Sequence, residues 1–229
     1  EFESAWASFV GCREAIALNS ATAALHLALA AFKFPAGKKV LVPSLTFSST
    51  ASAVLYNGLI PVFVDSDPIT LGLNFQDLKN KYDQDCVAVI PVHYAGHPAP
   101  MDLLVPWARQ HNLKIIEDSA QSIGSRYASK MSGSFSDIGC FSAHPLKNLN
   151  ALGDAGYLVT NNFKYYKKIK DLCNLGMTNR NKIKNFGHVS RMDNLQAAIL
   201  NFRLKKLKEI IKKRRFNYNI YKNNLPKNV

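Results

Sequence analysis

The sequence lacks a long apolar run. No stretch approaches the roughly 20 consecutive apolar residues that a transmembrane helix requires, so no membrane span is predicted. The N-terminus, from Glu1 to Ser4, also lacks the basic region and the apolar region that make up a secretory signal peptide. These two absences predict a cytoplasmic protein without a membrane partner.

Cysteine is scarce and scattered. The four cysteines form no Cys-x-x-Cys pair; they are Cys12, Cys86, Cys140 and Cys173. The spacings typical of zinc and redox sites are therefore missing, and isolated thiols suit a reducing compartment such as the cytosol. His93 and His97 are four residues apart, but Gly96 and Pro98 indicate a loop, and we predict no metal site.

Acidic residues are scarce in the last third of the chain. Residues 161–229 contain 18 lysines and arginines but only three aspartates and glutamates, a net charge of +15, whereas residues 1–160 carry −2. A basic surface of this size is one route to binding nucleic acid. The same stretch has apolar residues at helical spacing, which favours a solvated helix face, and we predict no nucleic-acid partner.

Short apolar runs alternate with amphipathic stretches along the first 160 residues. The apolar runs predict strands at residues 15–19, 39–42, 60–64, 87–92, 113–117, 138–142 and 155–160. The amphipathic stretches predict helices at residues 22–34, 48–57, 75–82 and 101–111. We therefore predict an α/β fold, with a mostly parallel sheet, helices on both faces and a ligand at the carboxyl ends of the strands.

The C-terminal part of the chain has a different pattern. Residues 162–175 predict a helix, and residues 176–190 predict a polar, basic loop. Residues 193 to about 225 predict one long helix whose apolar side is formed by Leu195, Ile199, Phe202, Leu207, Ile210 and Ile211. We divide the chain into a large domain at residues 1–192 and a long basic helix at residues 193–229.

The first candidate functional segment is residues 19–25. An apolar strand gives way there to small and hydroxyl residues and then to a helix, and a helix N-terminus binds phosphate through its free N–H groups. Ser20 and Thr22 can add hydroxyl donors. The alternative is that Ser20 only caps the helix, and this segment taken alone favours the cap.

Two further segments supply an acid and a lysine. Glu117 and Asp118 end an apolar strand, where a carboxylate can pair with a protonated pyridine nitrogen or can cap the segment that follows. Lys147 follows a later strand among apolar and small residues, where a desolvated amine can form a Schiff base, although a surface loop is the usual place for lysine. Together the three segments match the phosphate, ring nitrogen and aldehyde of pyridoxal phosphate (PLP).

Longer segments resemble the DegT/DnrJ/StrS sugar aminotransferase family of fold-type I PLP enzymes. They occur in the family's order and cover nearly the whole chain: residues 19–25, 42–47, 61–65, 91–96, 117–121, 141–142 with 147–148, 152–156 and 190–200. The resemblance implies a fold-type I large domain with PLP as cofactor. It also implies amino transfer to a nucleotide-linked keto-sugar, with glutamate as the amino donor.

The resemblance implies a role for each candidate residue. Lys147 bonds covalently to PLP and carries a proton between cofactor and substrate, Asp118 binds the pyridine nitrogen, and Gln121 binds the ring hydroxyl. Ala21, Thr22 and Ser142 bind the phosphate. Phe47 packs against the ring. Relatives with histidine at the lysine position act as dehydratases, and Lys147 argues against that activity. Family sites lie at subunit interfaces, which implies a homodimer.

Three features depart from the family pattern. Val189 replaces the asparagine of the Gly-x-Asn-x-Arg segment, whose side chain reaches the cofactor phosphate of the neighbouring subunit. Ala155 replaces a glycine of the Gly-Asp-Gly-Gly turn, which matters only if this position has a positive φ. Family members are also longer, so an N-terminal segment and the C-terminal small domain are expected to be missing or truncated. A truncated or degenerate non-catalytic relative is therefore the alternative to an active aminotransferase.

Overall fold

The computed structural model describes residues 1–226. Its strands are β1 (Glu14–Leu18), β2 (Lys39–Pro43), β3 (Ile60–Val64), β4 (Cys86–Val89), β5 (Lys114–Asp118), β6 (Arg126–Tyr127), β7 (Lys130–Met131), β8 (Ile138–Ser142), β9 (Gly156–Thr160), β10 (Met177–Asn179) and β11 (Lys182–Ile183). Its helices are α1 (Phe2–Val10), α2 (Ala21–Phe32), α3 (Ser49–Tyr56), α4 (Phe75–Lys81), α5 (Met101–Gln110), α6 (Phe163–Leu172), α7 (Asn194–Leu204) and α8 (Leu207–Asn224). None of the helices within residues 1–226 is both long and apolar enough to cross a membrane.

Seven strands form one sheet in the order β1-β9-β8-β5-β4-β2-β3. Neighbouring strands from β8 to β3 are parallel, whereas β9 runs antiparallel to both β8 and β1. Parallel neighbours need crossover connections. Helices α3, α4 and α5 supply them between β2 and β5, whereas residues 119–137, with the hairpin of β6 and β7, connect β5 to β8. The predicted α/β fold with a mostly parallel sheet is confirmed.

Helices cover both faces of the sheet, because alternate side chains of a strand point to opposite faces. In β2, Val40 and Val42 pack in a core cluster with buried residues of α2, α3 and α6. Leu41 points the other way and packs in a cluster with α4 and α5. On that second face a further cluster joins α1 and α7 to β8 and β9. The predicted helices on both faces are therefore confirmed.

The sequence pattern predicts no element before residue 15, but the structure has helix α1 there. Its buried side chains Phe2, Trp6 and Val10 recur every four residues, which is a helical spacing. The signal is thus present but confined to nine residues. Trp6 packs against Phe141 and Tyr157, with ring centroids 5.1 and 4.6 Å away. These contacts anchor α1 on the sheet.

The single long helix predicted from residue 193 to about 225 is wrong, because the structure has two helices, α7 and α8. Lys205 and Lys206 separate them. The backbone tightens at this point, since the N–H of Lys206 bonds to the carbonyl of Arg203, three residues back instead of four. Neither glycine nor proline marks the break in the sequence.

The buried side of this segment also differs from the predicted apolar side. Leu200 and Leu207 are fully buried in the core, whereas Leu195 and Phe202 are mostly exposed. The turn between the two helices lets a buried leucine from each helix reach the same core cluster. From Lys212 onward the side chains of α8 are exposed, and they include Phe216, Tyr218 and Tyr221 as well as basic residues. The last three residues of the predicted segment 193–229 lie outside the described residues.

Two shorter segments differ from their predictions. Residues 176–190, predicted as a loop, contain the hairpin of β10 and β11. These strands have three and two residues, too few for an alternating apolar pattern to be recognised. The strand predicted at residues 87–92 ends earlier as β4, although Val92 still bridges Asp118.

Candidate active site

A cavity of about 460 Å³ opens beside the carboxyl ends of β5 and β8 and the N-terminus of α2. This is the edge of the sheet at which a ligand is predicted. The seven candidate residues all line this cavity: Ala21, Thr22, Phe47, Asp118, Gln121, Ser142 and Lys147. The fold therefore brings together residues that are dispersed over more than half of the sequence.

The N-terminus of α2 forms one wall of the cavity. The Oγ of Ser20 accepts a hydrogen bond from the N–H of Ala23 at 3.1 Å, so the capping interpretation is confirmed. The cap leaves the N–H groups of Ala21 and Thr22 available, because N–H groups in the first turn have no intrahelical acceptor. Both residues line the cavity, and the helix dipole favours an anion at this end.

Gly156 lies directly behind this helix terminus. A Cβ at this position would be 2.2 Å from the carbonyl carbon of Ser20 and 2.4 Å from the nitrogen of Ala21. No side chain fits in this space, so β9 and α2 meet backbone to backbone. The neighbouring Ala155 is not among the residues with positive φ, and alanine therefore causes no backbone strain in this turn.

Asp118 is buried at the end of β5. Its Oδ2 accepts a hydrogen bond from the Thr50 hydroxyl at 2.9 Å, and its Oδ1 accepts one from the Ala120 N–H at 3.1 Å. Burial raises the pKa of Asp118, while these hydrogen bonds and the charge of Lys147 act in the opposite direction. A carboxylate in such surroundings is well suited to a cationic partner, which would compensate for its lost hydration.

Replacing Asp118 with asparagine is expected to stabilise the chain when no cofactor has been added. Because the pKa of Asp118 is raised by folding, the folded state holds this proton more tightly, and its stability falls as the pH rises through the folded-state pKa. Asparagine has no charge to bury. The Asp118→Asn variant should therefore gain about 1 kcal/mol at pH 8 and less near pH 4, as measured by urea unfolding.

The matched control for this measurement is Asp154→Asn, an exposed change on the same cavity wall. Because Asp154 is exposed, this variant should differ little in stability from the unchanged chain. If the Asp118→Asn chain were no more stable than the original at pH 8, burial would not be the dominant influence on Asp118.

Gln121 is oriented by the loop that follows Val92. The Oε1 of Gln121 accepts a hydrogen bond from the N–H of Ala95 at 2.7 Å. Ala95 has a φ of 49°, in the left-handed region, which is unusual for a residue with a side chain. With its oxygen occupied, the amide of Gln121 has its NH₂ group left as a donor to a ligand oxygen.

Ser142 and Lys147 lie at the end of β8 and in the turn that follows it. The Oγ of Ser142 accepts a hydrogen bond from the N–H of His144 at 3.3 Å, which leaves its own proton available to an anion. The backbone N–H of Lys147 bonds to the carbonyl of His144 at 2.8 Å. The side chain of Lys147 is half-buried, and its charge lowers the pKa of Asp118.

Phe47 and several hydroxyl residues form the side of the cavity next to α3. Phe47 has 73% of its surface exposed, so an aromatic face is accessible to a flat ligand. The hydroxyl of Ser49 lies 2.7 Å from that of Thr22 and links α3 to the first turn of α2. Sequence reasoning missed Ser49 and the buried Thr50. The available signal is the five hydroxyl residues within residues 44–50, which lead into the first turn of α3.

Glu117 is fully buried and accepts four hydrogen bonds. Its Oε2 lies 2.9 Å from the Nε2 of His93 and 2.6 Å from the nitrogen of Gly133. Its Oε1 accepts from the N–H of Phe135 at 2.8 Å and from the hydroxyl of Ser136 at 2.7 Å. Neighbouring side chains of a strand point to opposite faces, so Glu117 faces away from the cavity and secures the loop before β8.

His93 contributes to this buried network through both ring nitrogens. Its Nδ1 accepts a hydrogen bond from the N–H of Ala99 at 3.0 Å, so its Nε2 carries the proton and donates to Glu117. Neither nitrogen is free to bind a metal ion. The acidic partner of His93 is Glu117, which is 24 residues away in sequence.

Val189 lies beside the end of β1. Its carbonyl accepts a hydrogen bond from the Nδ2 of Asn19 at 3.3 Å, and the carbonyl of Ser190 accepts one from the N–H of Asn19 at 2.9 Å. The Val189 side chain is 63% exposed. It has no donor group, so it cannot form the hydrogen bond that the family resemblance implies for an asparagine at this position.

Comparison with known proteins identifies the family. The profile of the DegT/DnrJ/EryC1/StrS aminotransferase family matches residues 1–229. The chain belongs to this family. Its aminotransferases use PLP, and the resemblance drawn from the sequence segments is confirmed.

Individual relatives of this DegT/DnrJ/EryC1/StrS chain are named as sugar enzymes. It is 41% identical to UDP-N-acetyl-3-dehydro-alpha-D-glucosamine 3-aminotransferase of Acidithiobacillus ferrooxidans, over 85% of the chain and 53% of the relative. It is 40% identical to GDP-perosamine synthase of Caulobacter vibrioides, over 87% of the chain and 54% of the relative. The chain thus spans about half the length of the curated relatives that it matches.

A solved structure confirms the fold. The crystal structure of NtdA from Bacillus subtilis, with bound cofactor PMP, has a TM-score of 0.85 and 34% identity to this chain. The match covers 90% of this chain and 47% of that one. The α/β architecture described above is therefore that of a PLP aminotransferase.

Proposed function

We propose that this chain belongs to a PLP-dependent enzyme that transfers an amino group to a keto-sugar carried by a nucleotide. The observation that carries the proposal is that the first turn of α2, Asp118 and Lys147 line one cavity. A nucleotide-linked substrate is supported by two relatives, one named for a UDP-linked sugar and one for a GDP-linked sugar. Residues 1–192 would form the cofactor-binding domain.

The donors around the cavity fit PLP group by group. The N–H groups of Ala21 and Thr22 and the hydroxyl of Ser142 suit the phosphate. The NH₂ group of Gln121 suits the ring hydroxyl, and the exposed face of Phe47 suits the ring. When bound, PLP supplies an aldehyde that reacts with amines and a ring that accepts electrons.

Lys147 and Asp118 perform the chemical roles in this proposal. The Nζ of Lys147 would hold the cofactor at its aldehyde carbon and would move the proton at the substrate carbon. The carboxylate of Asp118 would keep the ring nitrogen protonated, since an anion stabilises a nearby cation. Thr50 and Ala120 hold that carboxylate in place.

The proposal has three further parts: the amino donor is glutamate, the working form is a homodimer, and the location is cytoplasmic. Glutamate as donor follows from the family resemblance. A homodimer is supported by the exposed apolar side chains around the cavity, because apolar surface next to a binding site is typical of an interface. Phe47 and Leu146 line the cavity and are 73% and 85% exposed, and Leu152, two residues before Asp154 of the cavity wall, is 67% exposed.

A non-catalytic relative is the second candidate. Val189 favours it, because the exposed valine provides no hydrogen bond where the family has asparagine. Such a protein would retain the fold and the cavity but would bind PLP weakly.

Adding PLP to the purified chain is expected to produce a visible absorbance band. L-glutamate should bleach this band and yield 2-oxoglutarate in an amount equal to that of bound PLP, whereas D-glutamate should do neither. Absorbance titration together with an assay for 2-oxoglutarate checks both steps. Failure to form the band would favour the non-catalytic relative, and a band that L-glutamate leaves unchanged would overturn glutamate as the donor.

A further inference from the structure

Two threonine hydroxyls connect the cavity wall to Asp118. Thr50 is fully buried, and its Oγ1 donates a hydrogen bond to the Oδ2 of Asp118 at 2.9 Å. The Oγ1 of Thr46 lies 2.8 Å from the Oγ1 of Thr50. Thr46 itself lines the cavity. Thr46 lies in the loop before α3 and Thr50 in the first turn of α3, and the short distance places the two hydroxyls side by side.

The donor and the acceptor in each of these two hydrogen bonds follow from a count of protons. An ionised carboxylate can only accept, so the single hydroxyl proton of Thr50 points at Asp118. In the contact between the two hydroxyls Thr46 must therefore be the donor. Each hydroxyl thus orients the next, and the arrangement shown holds when Asp118 is ionised.

Thr50 differs in kind from the other donor to Asp118. The Ala120 N–H is two residues along the chain from Asp118, in a local turn that any aspartate can form. Thr50 lies on helix α3, 68 residues away in sequence from Asp118. It is therefore the contact that fixes the rotation of the carboxylate relative to the cavity. Each carboxylate oxygen has two lone pairs and uses one on these donors, which leaves acceptor capacity for a ligand.

We propose that Thr50, oriented by Thr46, is a positioning residue that keeps Asp118 ionised and turned toward the ring nitrogen of the cofactor. The proposal rests on the proposed function for the identity of the ligand. The hydrogen-bonding relation between Thr50 and Asp118 does not depend on that identity, so it can be tested without cofactor.

The test is a titration of Asp118 in the chain without added PLP. Carbon-13 NMR of aspartate labelled at the side-chain carboxyl gives its pKa, and the signal is assigned by its loss in Asp118→Asn. Thr50→Val removes the hydroxyl at nearly constant volume and should raise the pKa by about 1 unit, since a hydrogen bond to a charged group is worth about 1.5–3 kcal/mol. Thr50→Ser should restore most of the original pKa, and Thr46→Val should give a smaller rise.

The matched control is Thr160→Val. Thr160 is also a buried threonine with a bonded hydroxyl, which donates to the carbonyl of Asp137 at 2.7 Å. This variant loses a buried hydrogen bond without changing Asp118, so its Asp118 signal should titrate as in the original chain. An equal shift in Thr160→Val and Thr50→Val would mean that general loosening, and not the Thr50 contact, causes the effect.

A folded Thr50→Val chain in which Asp118 titrates as in the original would overturn the proposal. If Thr50→Val does not fold, Thr50→Ser and Thr46→Val decide the question. The proposal would be overturned if the pKa of Asp118 were unchanged in Thr46→Val and raised in Thr50→Ser. The visible band, where PLP binds, gives a second readout, because its pH profile should shift in Thr50→Val. Absence of the band in the original chain would overturn the proposed function while the cofactor-free titration still tests Thr50.

Discussion

Replacing Lys147 with alanine is expected to abolish the visible band formed with PLP and to slow amino transfer from glutamate by about 10³-fold or more. Lys147 lies on the cavity wall, and its charge lowers the pKa of Asp118. The variant loses both the amine that bonds to the cofactor and the base that moves the substrate proton. Absorbance titration and single-turnover kinetics with L-glutamate measure the two losses separately.

Lys147→Arg is the matched variant for this experiment. Arginine keeps a positive charge near Asp118, but its guanidinium stays protonated and does not bond to an aldehyde. If Lys147 acts as an amine, both variants lose the band. If its role is only electrostatic, Lys147→Arg keeps most of the rate. Lys164→Ala, an exposed change in the first turn of α6, should behave as the original chain. A band that persisted in Lys147→Ala would mean that another amine holds the cofactor.

Replacing Glu117 with glutamine is expected to lower the free energy of unfolding by about 3 kcal/mol, which corresponds to a fall of about 10 °C in Tm for a chain of this size. Glu117 accepts from four donors in a fully buried site. Glutamine has a similar shape but carries an NH₂ group in place of one carboxylate oxygen. The two buried groups that donate to that oxygen would then face another donor and lose their acceptor. Leaving such groups unsatisfied costs about 1–3 kcal/mol each.

Glu209→Gln provides the matched control for Glu117→Gln. Glu209 is exposed on α8 and pairs with Lys213 at 3.1 Å, so the same chemical change takes place in water. Its thermal midpoint should remain that of the original chain. Circular dichroism during heating measures both variants. Equal midpoints for the two glutamine variants would show that the buried network contributes little to stability.

Local signals explain why most of the sheet and the main candidate residues could be predicted from the sequence. The strands are short apolar runs with polar ends, and the helices between them have apolar residues at helical spacing. Asp118 and Lys147 stand out because each follows such a run, at the edge where parallel sheets bind ligands. The alternation of elements thus specifies both the architecture and the place of the site.

The remaining contacts depend on which strands become neighbours. Thr50 meets Asp118, and His93 meets Glu117, only because β4 lies between β2 and β5 in the sheet. No pattern within one segment reveals such a pair. The break between α7 and α8 is a similar case, because lysine is a good helix former and the burial of Leu207 in the core is a contact that no local pattern reveals.

The backbone contact between Gly156 and the start of α2 has a thermodynamic consequence for ligand binding. A phosphate wall made of N–H groups that are held from behind by another backbone is preorganised. Immobilising a flexible side chain on binding costs about 0.5–1.5 kcal/mol, and this wall avoids that loss because its donors have no rotamers to select. The entropy of ordering these donors is lost when the sheet folds, so the wall can favour an anion as soon as the chain is native.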